Sequence, residues 1–532
     1  MDKKEFNLLY EKWILVRTHD NQIEKWSLLE VFEKAHKASE LAGELPTQNV
    51  VILRLLLAVM HSIFTIQDTN GKDNKLTKWQ EAYVRWENLW NLKKFPFEVI
   101  ECYLKKYEDR FWLFHPEFPF YQMADMGKST EYSSGKLIGE LSESNNKIRL
   151  FAARTGKAKT EIDYDEAARW LLYVNAFDDT AAKPVKKGAP SAGAGWLGQL
   201  GLIYAGGSNL FETLLLNFVL VGEGKIFADS RSDTRAYWEQ ERCRTGEREH
   251  ISVPKAQKEL LTLQSRRLQL KSAGNKVIGY KLLGGDFFDK ENALIEQMTL
   301  WREKDNVFSP KRHQRDKQVW RDFAALLAER RLRNVQLPGV VEWVTSLKDR
   351  GIYKKSNVKF HIAGIQYGDK DFFTDDIIED SLQINSKMLE EIEAVAEGWI
   401  SEIIDMLGDT NEAVSLLGWL ATSIAVAEGK AFKERDSTKR KMQELTRERG
   451  YQKLDTAFRN WLVSINPQKD DLEEKVLEWK KVAKDILLIE GRRLLEESSE
   501  KAMIGIIKEG EIYSSVKVFQ VFRGKLKGIL SN

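Results

Sequence analysis

The stretch LEEIEAVAEGWISEIIDML, residues 389–407, marks a change of pattern in this chain of 532 residues. Its apolar residues recur at intervals of three and four, as they do on one face of an α-helix. These residues are Leu389, Ile392, Ala396, Trp399, Ile403 and Leu407. The same style continues through Leu530, and it predicts an up-and-down helical bundle of four helices over residues 381–532.

Before residue 381 the pattern is mixed. Short strand-like runs such as 13–16 alternate with amphipathic helical runs such as 50–63. The chain is also longer than the ~250–300 residues that one hydrophobic core usually supports. The sequence therefore predicts an α+β protein, with a large mixed domain at residues 1–380 followed by the helical bundle at residues 381–532.

Composition excludes several classes of protein. The 82 basic and 80 acidic residues give a net charge of +2, so any contact with nucleic acid must come from local patches. The two cysteines, Cys102 and Cys243, form no CxxC pair that could build a zinc site. The first residues lack a signal-peptide core, and the longest uncharged apolar stretch, 413–427, is shorter than the ~20 residues of a spanning helix. We expect a cytoplasmic protein without membrane contact.

Residues 188–207, GAPSAGAGWLGQLGLIYAGG, are rich in glycine. This composition disfavours helix and strand, and it predicts a long shaped loop. Residues 193–198 match GxGxxG, but the dinucleotide fingerprint requires a strand immediately before it, and the segment 183–190 contains two prolines. The helical pattern of 209–217 also occupies the position expected for a ribose-binding acid. Dinucleotide binding is therefore rejected.

Other enzyme motifs are incomplete. Gly127–Thr130 resembles the end of a P-loop, but Gln122 stands where the first glycine is required. The histidines are scattered singly and form no HxxxH pair. The sequence thus predicts no cofactor, no metal and no catalytic residue, although carboxylates that converge in space could still hold magnesium.

A hairpin is predicted in the middle of the chain. Residues 260–270 and 277–283 read as strands, and the intervening KSAGNK has the composition of a turn. Lys271 and Lys276 would flank its tip.

Seven stretches occur in an order that is typical of one family. They are 6–16 (FNLLYEKWILV), 111–122 (FWLFHPEFPFYQ), 149–154 (RLFAAR), 166–172 (EAARWLL), 195–198 (GWLG), 209–217 (NLFETLLLN) and 264–267 (QSRR). In these stretches the chain resembles the CasA family, the large subunit of the type I-E CRISPR Cascade complex. The resemblance covers about the first 380 residues. It departs from the family at Lys12, where proline is common, and in the missing cysteine cluster of some members' hairpin.

The resemblance implies a non-catalytic subunit of an RNA-guided surveillance complex. Its expected partners are other Cascade subunits, the CRISPR RNA, double-stranded target DNA and a recruited helicase-nuclease. Such a subunit recognises the motif beside the target (the PAM) and helps to open the duplex. A metal-dependent nuclease, a nucleotide-dependent remodeler and a purely structural capping subunit remain alternatives.

The resemblance also suggests residues that contact DNA. Gly193, Gly195 and Gly198 would let the backbone approach a groove that a Cβ would block, although tight turns are an alternative reason for these glycines. By family position, Lys276 would probe the duplex edge, with Lys271 as second choice. An exposed lysine is otherwise usually just solvated.

The segment 364–372 lies where the family carries a wedge that enters DNA. Side chains here can hydrogen-bond, stack on bases or neutralise phosphate, as a wedge requires. The residues concerned are Gln366, Tyr367, Gly368, Asp369 and Lys370. An ordinary polar β-turn is the competing interpretation.

Residues 145–159 resemble the family loop that meets the end of the guide RNA. Arg149, Phe151, Arg154 and Lys157 combine cations with an aromatic ring. Stacking and phosphate pairing are therefore the chemistry expected there.

Overall fold

Strands and helices both occur in the computed structural model of the chain. It describes residues 4–143, 152–181, 183, 192–222, 225–226, 234–241, 248–327, 335–391, 398–433 and 435–531. The strands are β1 (Glu5–Asn7), β2 (Ile14–Thr18), β3 (Ile23–Trp26), β4 (Ala38–Leu41), β5 (Trp112–Phe114), β6 (Thr130–Ser133), β7 (Leu202–Gly206), β8 (Val221–Gly222), β9 (Lys225–Ile226), β10 (Arg266–Ala273), β11 (Lys276–Gly284), β12 (Trp301–Lys304), β13 (Val307–Pro310), β14 (Asn357–Tyr367), β15 (Thr374–Asn385), β16 (Ile506–Lys508) and β17 (Glu511–Tyr513).

The helices lie between and after these strands. They are α1 (Leu28–Lys34), α2 (Pro46–Phe64), α3 (Trp79–Asn91), α4 (Phe97–Lys106), α5 (Ser134–Leu137), α6 (Lys157–Thr160), α7 (Tyr164–Phe177), α8 (Leu210–Leu216), α9 (Gln257–Leu261), α10 (Phe323–Leu327), α11 (Gly339–Asp349), α12 (Trp399–Ala427), α13 (Ser437–Ser464), α14 (Leu472–Glu496), α15 (Glu500–Ile504) and α16 (Ser515–Ile529). The mixed α+β fold with a helical C-terminal region confirms the predicted fold class.

Small sheets organise the first part of the chain. Three of them have three strands each, in the orders β3-β2-β4, β10-β11-β6 and β15-β14-β7. The chain divides into two compact units, and the second consists of residues 316–335, 354–358 and 382–532. The bundle unit thus also contains two short segments that precede residue 381.

Helix α2 forms part of the core of the first unit. The sequence predicted an amphipathic helix over 50–63, but almost every residue of α2 is buried. By length and composition the helix could cross a membrane, yet 94% of its apolar window is buried inside the protein. Arg54 forms two hydrogen bonds with Glu296, of 2.8 and 2.9 Å, and this pairing compensates a charge that burial would otherwise disfavour.

Four long helices dominate the second unit: α12, α13, α14 and α16. Their apolar faces pack together, and the buried indole of Trp479 donates a 3.0 Å hydrogen bond to Thr410. The opening stretch 389–407 is not one continuous helix. Residues 386–391 form a 3₁₀ helix and α12 begins only at Trp399, after Gly398 in extended conformation.

Two local predictions were wrong. The predicted loop 188–207 contains a 3₁₀ turn and strand β7, because pairing with β14 outweighs the weak strand propensity of its glycines. The predicted strand over 260–270 begins only at Arg266, because residues 257–261 form α9. The hairpin turn is just Gly274 and Asn275, with Gly274 at a φ of 59°.

Candidate nucleic-acid interface

Helix α7 ends at the point where the predicted DNA-contacting elements meet. Its first turn carries Asp165 and Glu166, whose negative charges interact favourably with the positive, N-terminal end of the helix dipole. Its last residues are buried, and the chain leaves the helix at Asp178 in a non-helical conformation. We call residues 177–180 the α7 end segment.

A buried cluster of charges surrounds the α7 end segment. Asp178 accepts hydrogen bonds from Arg266, at 2.5 Å, and from Lys183, at 2.7 Å, while Lys136 pairs with Asp179. All five side chains are at most 5% exposed. Burial alone would raise the pKa of Asp178, but Lys183, Arg266 and Lys136 outweigh it and lower the pKa to about 2. The cluster therefore holds two carboxylates against three cations.

Residues 193–198, which we call the glycine run, form hydrogen bonds with this cluster. Gly195 donates its N–H to the carbonyl of Asp178 at 2.9 Å, and Arg266 donates to the carbonyl of Gly193 at 2.6 Å. A Cβ on Gly195 would lie 2.3 Å from the carbonyl oxygen of Ala176. Close packing against α7 is thus one reason for glycine at this position.

The other two candidate glycines differ from each other. A Cβ on Gly198 would lie 2.1 Å from the hydroxyl of Tyr367, so packing also accounts for this glycine. A Cβ on Gly193 would meet no described atom within 4 Å. Among the three, Gly193 is the one at which a Cβ would have room among the described residues.

The predicted wedge begins later than the sequence suggested. Residues 364–367 belong to β14, and the turn follows at Gly368, where a Cβ would collide with Phe373. Asp369 and Lys370 form its exposed tip. Lys370 has a φ of 53°, in the left-handed region.

The α7 end segment also holds this turn. Thr180 donates from its hydroxyl to the carbonyl of Lys370 at 2.7 Å and from its N–H to the carbonyl of Asp371 at 2.9 Å. Arg312 forms two 2.9 Å hydrogen bonds with the Asp371 carboxylate. Because Asp371 also has a positive φ, of 58°, these contacts maintain a backbone conformation that is otherwise unfavourable.

Tyr367 does not lie at the tip. Its ring is 4% exposed, and its hydroxyl donates to the carbonyl of Phe177 at 2.7 Å. Gln366 is half-buried and donates to the carbonyl of Tyr367. In this conformation Tyr367 anchors the turn and is not available to stack on a base.

The hairpin lysines are partly exposed, and each pairs with a carboxylate. Lys271 on β10 pairs with Glu131 on β6, which lies on the other side of β11, and Lys276 pairs with Asp163 just before α7. The hydrogen bond that Lys276 donates to the Asp163 carboxylate raises the pKa of Lys276, so this side chain is a cation at neutral pH. Arg266, at the base of the same hairpin, belongs to the buried charge cluster.

The predicted RNA-end loop is only partly described. Arg149 and Phe151 lie outside the described residues. Arg154 pairs with Glu140 and Glu166, and Lys157 is the exposed first residue of α6. Two carboxylates therefore already occupy Arg154, so binding phosphate would require an exchange of partners.

The residues that join these elements were not predicted from the sequence. Asp178 and Arg312 carried no recognisable motif, and Arg266 was noted only within the stretch QSRR. The signal available was the pair of aspartates directly after an apolar helix, which has meaning only once their cationic partners are known. Within the described residues, no group of three or more His, Cys, Asp or Glu side chains is arranged to hold a metal.

Comparisons with known proteins identify relatives. The family model described as CRISPR-associated protein Cse1 matches residues 7–488. The CRISPR-associated protein CasA/Cse1 of Thermus thermophilus is 34% identical over 216 residues, which are 41% of this chain and 40% of that relative's length.

Solved structures agree along the whole chain. The crystal structure of Thermobifida fusca Cse1 is similar with a TM-score of 0.83 and 27% identity, covering 100% of this chain and 99% of that one. Thermus thermophilus CasA (Cse1) gives a TM-score of 0.74 at 21% identity, covering 99% and 100%. A chain of a CRISPR RNA-guided surveillance complex gives 0.71 at 16% identity, covering 98% and 100%.

Proposed function

The chain belongs to the CRISPR-associated Cse1 family, also called CasA, and we propose that it is a non-catalytic subunit of an RNA-guided surveillance complex. In that complex it recognises the motif that flanks a double-stranded DNA target, assists the first step of strand opening and recruits a helicase-nuclease. The related chain from a surveillance complex supports this assignment. Its partners would be other Cascade subunits, CRISPR RNA and target DNA.

One observation carries the DNA-recognition part of the proposal. The α7 end segment bonds directly both to the glycine run, through Asp178 and Gly195, and to the 368–373 turn, through Thr180. Two elements that are 170 residues apart in sequence are thereby fixed beside one another on one support. Preorganised backbone and cations of this kind position a duplex through its phosphates and allow base edges to be probed.

The cations suit this role in different ways. Lys370 extends from a turn whose backbone carbonyls accept hydrogen bonds from Thr180, and Lys276 is the first residue of β11, directly after a two-residue turn. Lys370 is exposed and the Lys276 side chain is 43% exposed, and neither has the bidentate geometry that arginine would offer to guanine. We expect Lys370 to contact phosphate at the duplex edge, and Lys276 to contribute to discrimination among flanking motifs.

The test uses the assembled complex and a library of targets that differ only in the flanking motif. Lys276→Ala is expected to flatten the preference among motifs, and Lys370→Ala to weaken all targets by a similar factor with a shallower salt dependence. Lys37→Ala changes an exposed lysine with no proposed role and serves as the matched control.

The alternative functions give different results. A purely structural capping subunit would leave the preference and the affinity unchanged in both variants. A nuclease would cleave DNA when the purified chain is incubated with Mg²⁺ or Mn²⁺. Either result contradicts the proposal.

A further inference from the structure

A cavity of about 340 Å³ lies in the first unit and shares no residue with the candidate interface. Its lining combines residues of the sheet β15-β14-β7, the sheet β3-β2-β4, the start of α2, and α8. This volume is within the usual range of ~300–1,000 Å³ for small-molecule sites. It is large enough for a side chain or a small ligand.

One side of the cavity is lined by polar groups that are partly open to solvent and have no hydrogen-bond partner among the described residues. Tyr204 and His361 are directly opposite one another on β7 and β14, with their rings stacked at 5.0 Å and 11°. Within the described residues, neither of these rings nor the carboxylate of Glu379 on β15 has a hydrogen-bond partner. Burial lowers the pKa of His361 to about 4, so the imidazole is neutral and can accept a hydrogen bond.

The charges of the lining are unbalanced. Arg17 and Glu40 are paired across β2 and β4, with 2.9 Å between Nε and Oε1. This leaves Glu379 as the lining carboxylate without a paired cation, although Lys359 is near enough to interact with it. Glu379 is exposed at the cavity, but partial desolvation of its carboxylate, and then repulsion by Glu40, raise its pKa, with a smaller contribution from Asp380. A cation bound in the cavity would remove this cost of ionisation.

We propose that the cavity binds a guanidinium group on an aliphatic stem, the chemistry of an arginine side chain. The planar guanidinium would donate two parallel hydrogen bonds to Glu379 and others to the Tyr204 hydroxyl and the neutral His361. The apolar residues Leu53 and Leu210 of the lining would pack against the stem. The group would come either from a free arginine derivative or from a protein subunit of the complex.

Isothermal titration calorimetry of the full chain with L-arginine amide tests the chemistry. Saturable binding is expected, and L-citrulline amide, which has the same shape without the charge, should bind at least about tenfold more weakly. Glu379→Gln should weaken the binding of arginine amide by about tenfold or more. This substitution relieves repulsion with Glu40, so the folded state is preserved. Glu117→Gln changes an exposed carboxylate outside the lining and should leave binding unchanged.

A second measurement distinguishes the two sources. If a subunit supplies the arginine, Glu379→Gln will weaken association of the chain with the rest of the complex, and arginine amide will compete with assembly. If the ligand is free, assembly will be unaffected while calorimetry still detects binding. The proposal is overturned if citrulline amide binds as well as arginine amide, or if Glu379→Gln alters neither binding nor assembly.

Discussion

Asp178→Asn should destabilise the α7 end segment, which holds the elements of the candidate interface in place. The substitution keeps the size of the side chain but removes one of two carboxylates from a buried cluster with three cations. Arg266 and Lys183 would then be buried with their main counter-charge missing. Losing one partner of a buried ion pair typically costs ~3–5 kcal/mol.

The remaining hydrogen bonds place the free-energy cost of Asp178→Asn at the low end of that range. Arg266 keeps four carbonyl acceptors, those of Ser265, Asp178, Asp179 and Gly193, and Lys183 keeps two. We therefore expect a loss of about 3 kcal/mol, or roughly a hundredfold in the local opening equilibrium. The first unit should remain folded, since domains commonly have ~5–15 kcal/mol of stability.

Hydrogen–deuterium exchange measures this opening directly. Peptides covering residues 192–199 and 366–373 should exchange faster in Asp178→Asn, whereas peptides of α12 should not change. Asp369→Asn removes an exposed carboxylate and is the control, with an expected effect within ~0.5 kcal/mol. Equal exchange in the two variants would refute the role assigned to the buried cluster.

Three further predictions follow from the same geometry. Gly195→Ala should cost ~1–3 kcal/mol in urea unfolding because its Cβ meets the Ala176 carbonyl, whereas Gly193→Ala should fold normally and weaken only DNA binding; equal stability of the two variants would contradict this. Lys370→Ala should slow strand opening in the assembled complex more than duplex capture, and a target mismatched beside the motif should rescue it; equal impairment of both targets would exclude a wedge. Asp178 has a folded pKa of about 2 against 3.8 unperturbed, so its stabilisation is full above pH ~4 and disappears as the pH falls towards 2; acid unfolding of Asp178→Asn should lack this component.

The sequence predicted the fold class because periodicity reports local burial. The helices α12 and α14 and the strand β2 have apolar spacing that is visible without any partner. Strand β7 was missed because its place in a sheet depends on β14, more than 150 residues away. Non-local pairing of this kind leaves little trace in the segment itself.

The sequence predicted the exposed segments of the candidate site but not the buried contacts that hold them in place. The resemblance directed attention to the glycine run, the hairpin and the 364–372 segment, and Lys271, Lys276 and Lys370 were visible in the sequence. It gave no indication that Tyr367 points inward, or that Asp178 and Thr180 bond to both elements. Those contacts depend on three-dimensional proximity between segments with unremarkable local composition.

The α7 end segment sets a constraint on how this chain can vary in length. Asp178 bonds to the glycine run and Thr180 bonds to the 368–373 turn, and only one residue separates them. The backbone of a single tripeptide therefore sets the spacing between these two elements. An insertion or deletion there would shift one element by a full residue while the other stayed bound. Relatives should therefore tolerate length changes in the β10–β11 turn far more readily than between residues 177 and 180.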